Sequence, residues 1–173
     1  MAGADPVSHD GHAARRAGGS ASARPIPRVL FLCAGNSCRS QMAEGWARAL
    51  LSGRIEAHSA GTHPQTLNAR AVRAMSECGI DISQHRPKRP EDIGLHFDAI
   101  VTVCGSAHDS CPAIPGTCTV HAPFDDPPRL AAYATSEDDA MGHYRRVRDE
   151  IRAFVERLPE MLVQSSATPT KGD

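Results

Sequence analysis

The chain has 173 residues and a net charge of −1, from 19 Lys and Arg against 20 Asp and Glu. This balance gives no overall electrostatic reason to bind nucleic acid or an anionic membrane. Apolar residues make up 40% of the chain, but no apolar run approaches the roughly 18–20 residues of a membrane span. These numbers exclude a spanning protein and predict one compact domain.

Two polar stretches flank the part of the chain that can build a core. Residues 1–27 are rich in Ala, Gly, Ser, Pro and His, and such a segment buries too little apolar surface to offset its ordering entropy. We predict a disordered extension over 1–27, one domain over 28–163 and a disordered tail over 164–173. No apolar stretch follows Arg15-Arg16, so we expect no secretion signal and a cytoplasmic protein with reduced thiols.

Strand and helix patterns alternate between these stretches. Predicted strands cover 28–33, 55–60, 97–103 and 117–121. Predicted helices cover 40–51, 68–78 and a segment that begins at 138 or 142 and ends at 161. The helical spacing points Ala49 and Leu50 of the first helix inward. The alternation predicts an α/β three-layer sandwich, with a four-stranded, mostly parallel sheet flanked by helices.

The segment between the first strand and the first helix has the composition of an anion-binding loop. Cys33 and Arg39 enclose five residues, enough to curl around a tetrahedral oxyanion with backbone N–H groups pointing inward. Arg39 supplies a fork of donors. The start of the helix, Arg39 and Ser40 all favour the thiolate of Cys33, which predicts a nucleophile. The predicted anion-binding residues are Ala34, Gly35, Asn36, Ser37, Cys38 and Ser40. The alternative is a buried strand-end cysteine beside a solvated arginine.

Two further cysteines follow the third predicted strand. Six residues separate Cys104 from Cys111. Because the carboxyl ends of parallel strands converge on one site, we expect Cys104 near Cys33. A helical turn or a flexible loop between Cys104 and Cys111 can join their sulfurs if it rearranges. Alternatives are two ordinary loop cysteines, or a zinc site with His108 and a ligand such as His121, although the spacing is not Cys-x2-Cys.

One continuous motif opens the predicted domain. It reads Cys33-Ala-Gly-Asn-Ser-Cys-Arg-Ser-Gln-Met-Ala-Glu-Gly-Trp46, and Ser59-Ala-Gly61 and Gly79-Ile-Asp-Ile-Ser83 follow it. These segments resemble the low-molecular-weight protein tyrosine phosphatase superfamily. The continuation Gln-Met-Ala-Glu-Gly resembles more narrowly its thioredoxin-coupled arsenate reductases. The resemblance covers about residues 28–162.

The resemblance implies reduction of arsenate to arsenite, with phosphate and sulfate as competing oxyanions. It implies that Cys33 attacks arsenate, that Cys104 then attacks Cys33 and releases arsenite, and that Cys111 moves the disulfide outward. No cofactor is expected, because an external thiol donor supplies the electrons: thioredoxin, a mycothiol-type thiol, or glutathione with glutaredoxin. By resemblance Asp126, in Phe-Asp-Asp-Pro-Pro, is the general acid. The alternative is an aspartate that starts a turn.

A cation site is the point at which the chain departs from some reductases. They bind a structural potassium ion through positions that match Asn36, Glu44 and Ser59 together with an acidic residue. Lys88 stands at the position of that acid, and its ammonium can balance Glu44. We therefore expect no metal site.

The remaining cysteines are predicted to be less important. The resemblance implies that Cys38 can pair reversibly with Cys33 under oxidation. Cys78, placed on the apolar face of the second helix, and Cys118, in the fourth strand, are predicted to be buried and structural.

Two functions compete with arsenate reduction. A phosphatase acting on phosphotyrosine or a small phosphate ester needs only Cys33, Arg39 and Asp126, whereas Cys104 and Cys111 favour the reductase. A non-enzymatic redox-sensing or metal-binding module would not explain the arginine or the aspartate. The expected partners are arsenate and a thiol donor, without nucleic acid or membrane, and we expect a monomer.

Overall fold

The computed structural model describes residues 25–111 and 114–166. The strands are β1 (Arg28–Cys33), β2 (Glu56–Gly61), β3 (Ala99–Thr102) and β4 (Cys118–His121). The helices are α1 (Arg39–Leu50), α2 (Ala69–Ser76), α3 (Pro90–Ile93), α4 (Gly105–Ser110), α5 (Pro127–Ala131) and α6 (Glu137–Ser166). The predicted strands and long helices are present within a few residues of their expected bounds. Helix α4 lies where a helical turn or a flexible loop was predicted, and α3 and α5 are additional short helices.

The four strands form one parallel sheet in the order β2-β1-β3-β4. Residues 29–33 of β1 are all buried, as the continuous apolar run predicts for a strand covered on both faces. The chain leads from β1 through α1 to β2 in one direction and from β3 through α4 to β4 in the other, and as a rule such crossovers are right-handed. Helices α1 and α4 therefore lie on opposite faces. This confirms the predicted α/β fold, with a sheet that is wholly rather than mostly parallel.

The point between β1 and β3 is where the direction of the connections changes. Leu32 of β1 pairs in register with Thr102 of β3, so Cys33 and Cys104 emerge from the same edge of the sheet on neighbouring strands. In open parallel sheets such a switch point leaves a crevice beyond the carboxyl ends of the strands, and ligands bind there. The topology places both cysteines at this edge of the sheet.

Helix α6 packs on α1 and extends further than predicted. Its buried stripe includes Tyr144, Val147, Ile151, Val155 and Leu158, and the Trp46 indole of α1 donates to the Arg148 carbonyl at 3.1 Å. Helical hydrogen bonding continues to Ser166, three residues into the predicted tail. A helix can continue there without an apolar stripe, because its backbone N–H groups bond to carbonyls of the preceding turn. The predictions for residues 1–24 and 167–173 lie outside the described residues. No helix in the described part of the chain is long and apolar enough to cross a membrane.

Several side chains are less buried than predicted. Ala49 and Leu50 are exposed, and Leu51 is buried instead. The inward face of α1 begins with polar residues, so it does not coincide with the face that the spacing of apolar residues predicts. Cys78 is exposed because α2 ends two residues before it and leaves it in a turn. Cys118 is only half-buried because β4 is an edge strand. The prediction that both cysteines are buried is therefore wrong for Cys78 and only partly met by Cys118.

Candidate active site

The loop between β1 and α1 is fixed by hydrogen bonds to its carbonyl groups. The carbonyls of residues 33, 34, 35 and 37 accept backbone N–H groups from segment 62–68 at 2.8–3.2 Å. The Asn36 carbonyl accepts the Gln41 side-chain amide at 2.9 Å. Since the carbonyl and N–H of one peptide unit point in opposite directions, the N–H groups of the loop face its interior, where they form an anion-binding nest. Sequence analysis predicted this nest but not the 62–68 segment that holds it.

Two residues allow the loop to pack this closely. A Cβ atom at Gly61 would lie 2.6 Å from the Ala34 carbonyl oxygen and 2.7 Å from the Asn36 nitrogen, so the end of β2 requires glycine. Asn36 has a φ of 46°, in the left-handed region that asparagine tolerates better than most residues. Gly35 has no positive φ; a Cβ atom there would lie 3.3 Å from Gln65 Oε1.

The Cys33 sulfur lies inside the loop, and the residue as a whole is 3% exposed to solvent. It accepts the Asn36 N–H at 3.0 Å and lies 2.9 Å from Ser40 Oγ. Ser40 Oγ itself accepts a hydrogen bond from Asn36 Nδ2 at 2.9 Å, which leaves the hydroxyl hydrogen to donate to the sulfur. Two donors aimed at a buried sulfur stabilise negative charge on it. Asn36 and Ser40 are fully buried, so their side chains lie behind the sulfur.

Arg39, the first residue of α1, lies at the mouth of the loop. Its Nη2 is 3.0 Å from Asp126 Oδ1, and its Nη1 donates to the Phe124 carbonyl at 3.0 Å. These contacts join the arginine to the loop that carries the predicted acid. The crevice encloses about 200 Å³ and is lined by Cys33, Ala34, Gly35, Ser37, Cys38, Arg39, Gln65, Asp126 and Pro128. The predicted nucleophile, arginine and acid thus share one crevice with Gln65, which sequence analysis did not single out.

A buried polar network lies behind the loop. The Asn36 amide donates to Ser59 Oγ at 3.0 Å, and its Oδ1 accepts from Gln41 Nε2 at 3.1 Å and the Lys88 N–H at 2.9 Å. Gln41 Oε1 lies 2.9 Å from His85 Nδ1, and because an amide oxygen only accepts, Nδ1 carries the hydrogen. Burial lowers the pKa of His85. Sequence analysis missed Gln41 and His85, because a polar residue type alone does not mark either side chain as a buried partner of the loop.

Glu44 is a buried carboxylate with three partners. The Ser59 hydroxyl donates to Oε2, the Arg48 guanidinium contacts Oε1, and Lys88 Nζ lies 3.9 Å from Oε2. The Lys88 ammonium is thus beside Glu44, and Asn36 Oδ1 already accepts two hydrogen bonds. Because these oxygens already accept hydrogen bonds or contact cationic side chains, the site does not fit a bound potassium ion. That the protein has no metal site stays a prediction.

Cys104 and Cys111 lie at opposite ends of α4. Cys104 is buried, with its Sγ 3.4 Å from Ser106 Oγ, whereas Cys111 is half-buried. Burial raises the pKa of the Cys111 thiol. Seven positions along a helix correspond to about 10 Å at 1.5 Å per residue, and disulfides need Cα atoms within about 7 Å. The predicted rearrangement therefore requires α4 to unwind.

The alternative zinc site receives no support from this region. The rings of His108 and His121 stack with centroids 4.0 Å apart and planes 29° from parallel, so their faces meet. His121 Nδ1 lies 2.9 Å from Thr102 Oγ1. Within residues 25–111 and 114–166, no three His, Cys, Asp or Glu side chains are arranged to hold a metal ion.

Cys38 is the second cysteine of the loop, and its surroundings do not favour a thiolate. It occupies the position before α1 and is 5% exposed as a residue. Burial raises the pKa of the Cys38 thiol well above its ordinary value, and Arg39 opposes this only in part. Cys38 is therefore a thiol at neutral pH and a poor nucleophile.

The fold and the loop identify the class of the protein. Residues 28–167 match the family of low molecular weight phosphotyrosine protein phosphatases. Because this match spans most of the chain, the protein belongs to that family. The resemblance predicted from the motifs is confirmed.

Arsenate reductases are among the similar proteins in this family. That of Bacillus subtilis is 46% identical over 125 residues, which are 71% of this chain and 88% of that protein. That of Bacillus licheniformis is 42% identical over 134 residues, 76% of this chain and 94% of that protein.

Solved structures of arsenate reductases share the fold. One in the phosphate binding state superposes with a TM-score of 0.62 at 28% identity, covering 79% of this chain and 99% of that one. A thioredoxin-dependent arsenate reductase of Corynebacterium glutamicum gives 0.63 at 27% identity, covering 83% of this chain and 65% of that one.

Proposed function

We propose that the protein reduces arsenate to arsenite and passes the resulting oxidation along three cysteines to an external thiol donor. One observation carries the proposal. The anion loop with Cys33 opens on the same sheet edge as Cys104, and Cys111 lies at the other end of a short helix. A phosphatase needs the first of these features but has no use for the other two.

The first step is nucleophilic substitution at arsenic. The loop N–H groups and the Arg39 fork hold the oxyanion, and the Cys33 thiolate attacks arsenic with the support of its two hydrogen-bond donors. Asp126, held beside Arg39 at 3.0 Å, protonates the departing oxygen, because hydroxide is a poor leaving group. Water leaves, and arsenic is bound to the Cys33 sulfur.

The second and third steps are exchanges at sulfur. The Cys104 thiolate attacks Cys33 Sγ; the electron pair of the S–As bond goes to arsenic, which leaves as arsenite, and a Cys33–Cys104 disulfide forms. The Cys111 thiolate then attacks Cys104 Sγ, releases the Cys33 thiolate and leaves a Cys104–Cys111 disulfide. A donor dithiol returns two electrons to this disulfide.

A thioredoxin-type dithiol is the proposed donor. Cys111 is more exposed than Cys33 or Cys104, so the relay moves the disulfide from a buried position toward the surface, where a protein thiol can reach it. The solved structure of a thioredoxin-dependent arsenate reductase supports this choice.

The test is NADPH oxidation that depends on arsenate, with thioredoxin and thioredoxin reductase, and p-nitrophenyl phosphate hydrolysis measured in parallel. We expect arsenate turnover with thioredoxin and much slower turnover when glutathione with glutaredoxin or a mycothiol-type donor replaces it. Cys118→Ser, outside the relay, is the matched control for Cys104→Ser, which should block turnover. Hydrolysis of p-nitrophenyl phosphate without arsenate reduction by any donor would show a phosphatase instead.

A further inference from the structure

Helix α4 is poorly stabilised by its own sequence. It spans six residues, Gly105–Ser110, of which only Ala107 is buried, and no side chain caps its first turn. Gly, Ser, His and Asp all have lower helix propensity than Ala, and isolated helices this short do not persist in water. The helical form of α4 therefore depends on contacts with the rest of the molecule.

A ring contact joins α4 to the sheet outside the anion site. The His108 ring lies over the His121 ring at a centroid separation of 4.0 Å. His121 ends β4, and its Nδ1 lies 2.9 Å from the hydroxyl of Thr102, which is fully buried in β3. The His121 ring is thus fixed to the sheet, whereas the His108 ring belongs to the helix that must unwind.

We propose that the His108–His121 stack holds α4 in its helical form and thereby sets how readily the Cys104–Cys111 disulfide forms. The two sulfurs can join only after α4 unwinds, and the stack exists only while α4 is helical. The contact therefore favours the dithiol over the disulfide. Both histidines act as positioning residues, because their stacked rings act on the fold of α4. The inference rests on the proposed function, in which this disulfide is the product of the third step.

The test measures the disulfide equilibrium without arsenate. Protein carrying Cys33→Ser is equilibrated with mixtures of reduced and oxidised dithiothreitol, which exchange two electrons and two protons with the Cys104 and Cys111 thiols. Alkylation and peptide mass spectrometry then give the fraction of Cys104–Cys111 disulfide. His108→Leu removes the ring at similar volume, His108→Phe keeps a stacking ring, and His96→Ala changes an exposed histidine outside α4.

We expect His108→Leu to raise the equilibrium constant for disulfide formation about two- to tenfold, the range that aromatic pairs contribute. His108→Phe and His96→Ala should stay within about twofold of the parent. The proposal would be overturned if His108→Leu and His108→Phe shifted the disulfide equilibrium constant equally, or if His108→Leu did not shift it. If no Cys104–Cys111 disulfide forms in any variant, the relay of the proposed function fails, and this inference fails with it.

A double-mutant cycle separates the stack from other effects of each ring. If the two rings act on each other, adding His121→Leu to His108→Leu should change the disulfide equilibrium no further. Amide hydrogen exchange over 105–110 in the reduced protein supplies an independent readout, and His108→Leu should accelerate it two- to tenfold, in step with the disulfide equilibrium. Strictly additive effects of the two substitutions would contradict the proposal.

Discussion

The anion loop and the α4 segment both carry a reactive cysteine at the same sheet edge, yet they are held very differently. In the loop, the carbonyls of residues 33–37 are all bonded from outside, and Asn36 and Ser40 are fully buried. Helix α4 contributes one buried side chain. Stabilising charge on arsenate needs donors that do not move, whereas carrying a disulfide outward needs a segment that opens at low cost. The anion loop therefore suits the binding of arsenate, and α4 suits the transfer of the disulfide.

The largest loss should follow from removing the reactive groups of the rigid loop. Cys33→Ser should abolish arsenate reduction, since a serine hydroxyl remains protonated and cannot accept the relay. Arg39→Lys should lower kcat/KM at least about 100-fold, because one ammonium cannot replace a two-pronged donor. Steady-state arsenate reduction measures both, and thermal unfolding checks the fold. Near-normal turnover by Arg39→Lys would show that the fork is not used.

Removing the last thiol of the proposed relay should stop the reaction at a defined point. Cys111→Ser should release about one equivalent of arsenite and then stall as a Cys33–Cys104 disulfide, because the next thiolate in the chain of exchanges is absent. Mass spectrometry of the stalled protein locates the crosslink. Hydrolysis of p-nitrophenyl phosphate, if the protein has it, should survive. Sustained arsenate turnover by both Cys111→Ser and Cys104→Ser would contradict the relay.

The rigidity of the loop is tested at Asn36, whose side chain makes four hydrogen bonds. Asn36→Ala should lower the free energy of unfolding by about 2–4 kcal/mol, since buried partners lose their bonds. Asn36→Gly should be about 0.5–1 kcal/mol more stable than Asn36→Ala, because glycine adopts the left-handed backbone without the cost that alanine incurs. Urea unfolding measures both variants. An alanine variant more stable than the glycine variant would contradict a role for the backbone angle.

The parts of this molecule that sequence analysis predicted are those encoded locally. Strand β1, the loop after it and α1 are continuous in sequence, so apolar pattern and residue types were enough to predict Cys33 and Arg39 as neighbours. The 62–68 segment, Gln41 and His85 were missed because their roles depend on residues far apart in the chain. A polar side chain on a helix gives no sign of being buried until its partner is known. Helices α3 and α5 were not predicted, and the sequence over α4 allowed a helical turn or a loop, because six or fewer residues show no clear period.

The next smaller effect concerns the ammonium beside Glu44. The stability of the protein should be the same in KCl and NaCl at equal ionic strength, because Lys88 already lies 3.9 Å from the Glu44 carboxylate. Lys88→Asp should introduce a dependence on potassium, since it adds a carboxylate and removes the ammonium. Melting temperatures in the two salts measure this. A parent protein several degrees more stable in KCl would show that potassium binds despite Lys88.

The smallest effect should be a pH dependence at His85, behind the rigid loop. Burial lowers the pKa of His85 below its ordinary value of 6.5, with Arg48 and Lys88 acting in the same direction and Glu44 opposing them. Below pH 6.5 the unfolded chain therefore binds a proton that the folded protein does not. Stability from this group is full above pH 6.5, falls as the pH decreases, and levels off below the folded-state pKa.

His85→Gln isolates this contribution, because its amide can still donate to Gln41 Oε1 but does not titrate. Other histidines and carboxylates also respond to pH, so the informative quantity is the difference between the two proteins. Between pH 7 and pH 5.5, the parent should lose more of its free energy of unfolding than His85→Gln does. Urea unfolding at both pH values measures the difference. Equal losses would mean that protonating His85 costs the folded loop nothing, and that the network behind Asn36 adapts to the charge.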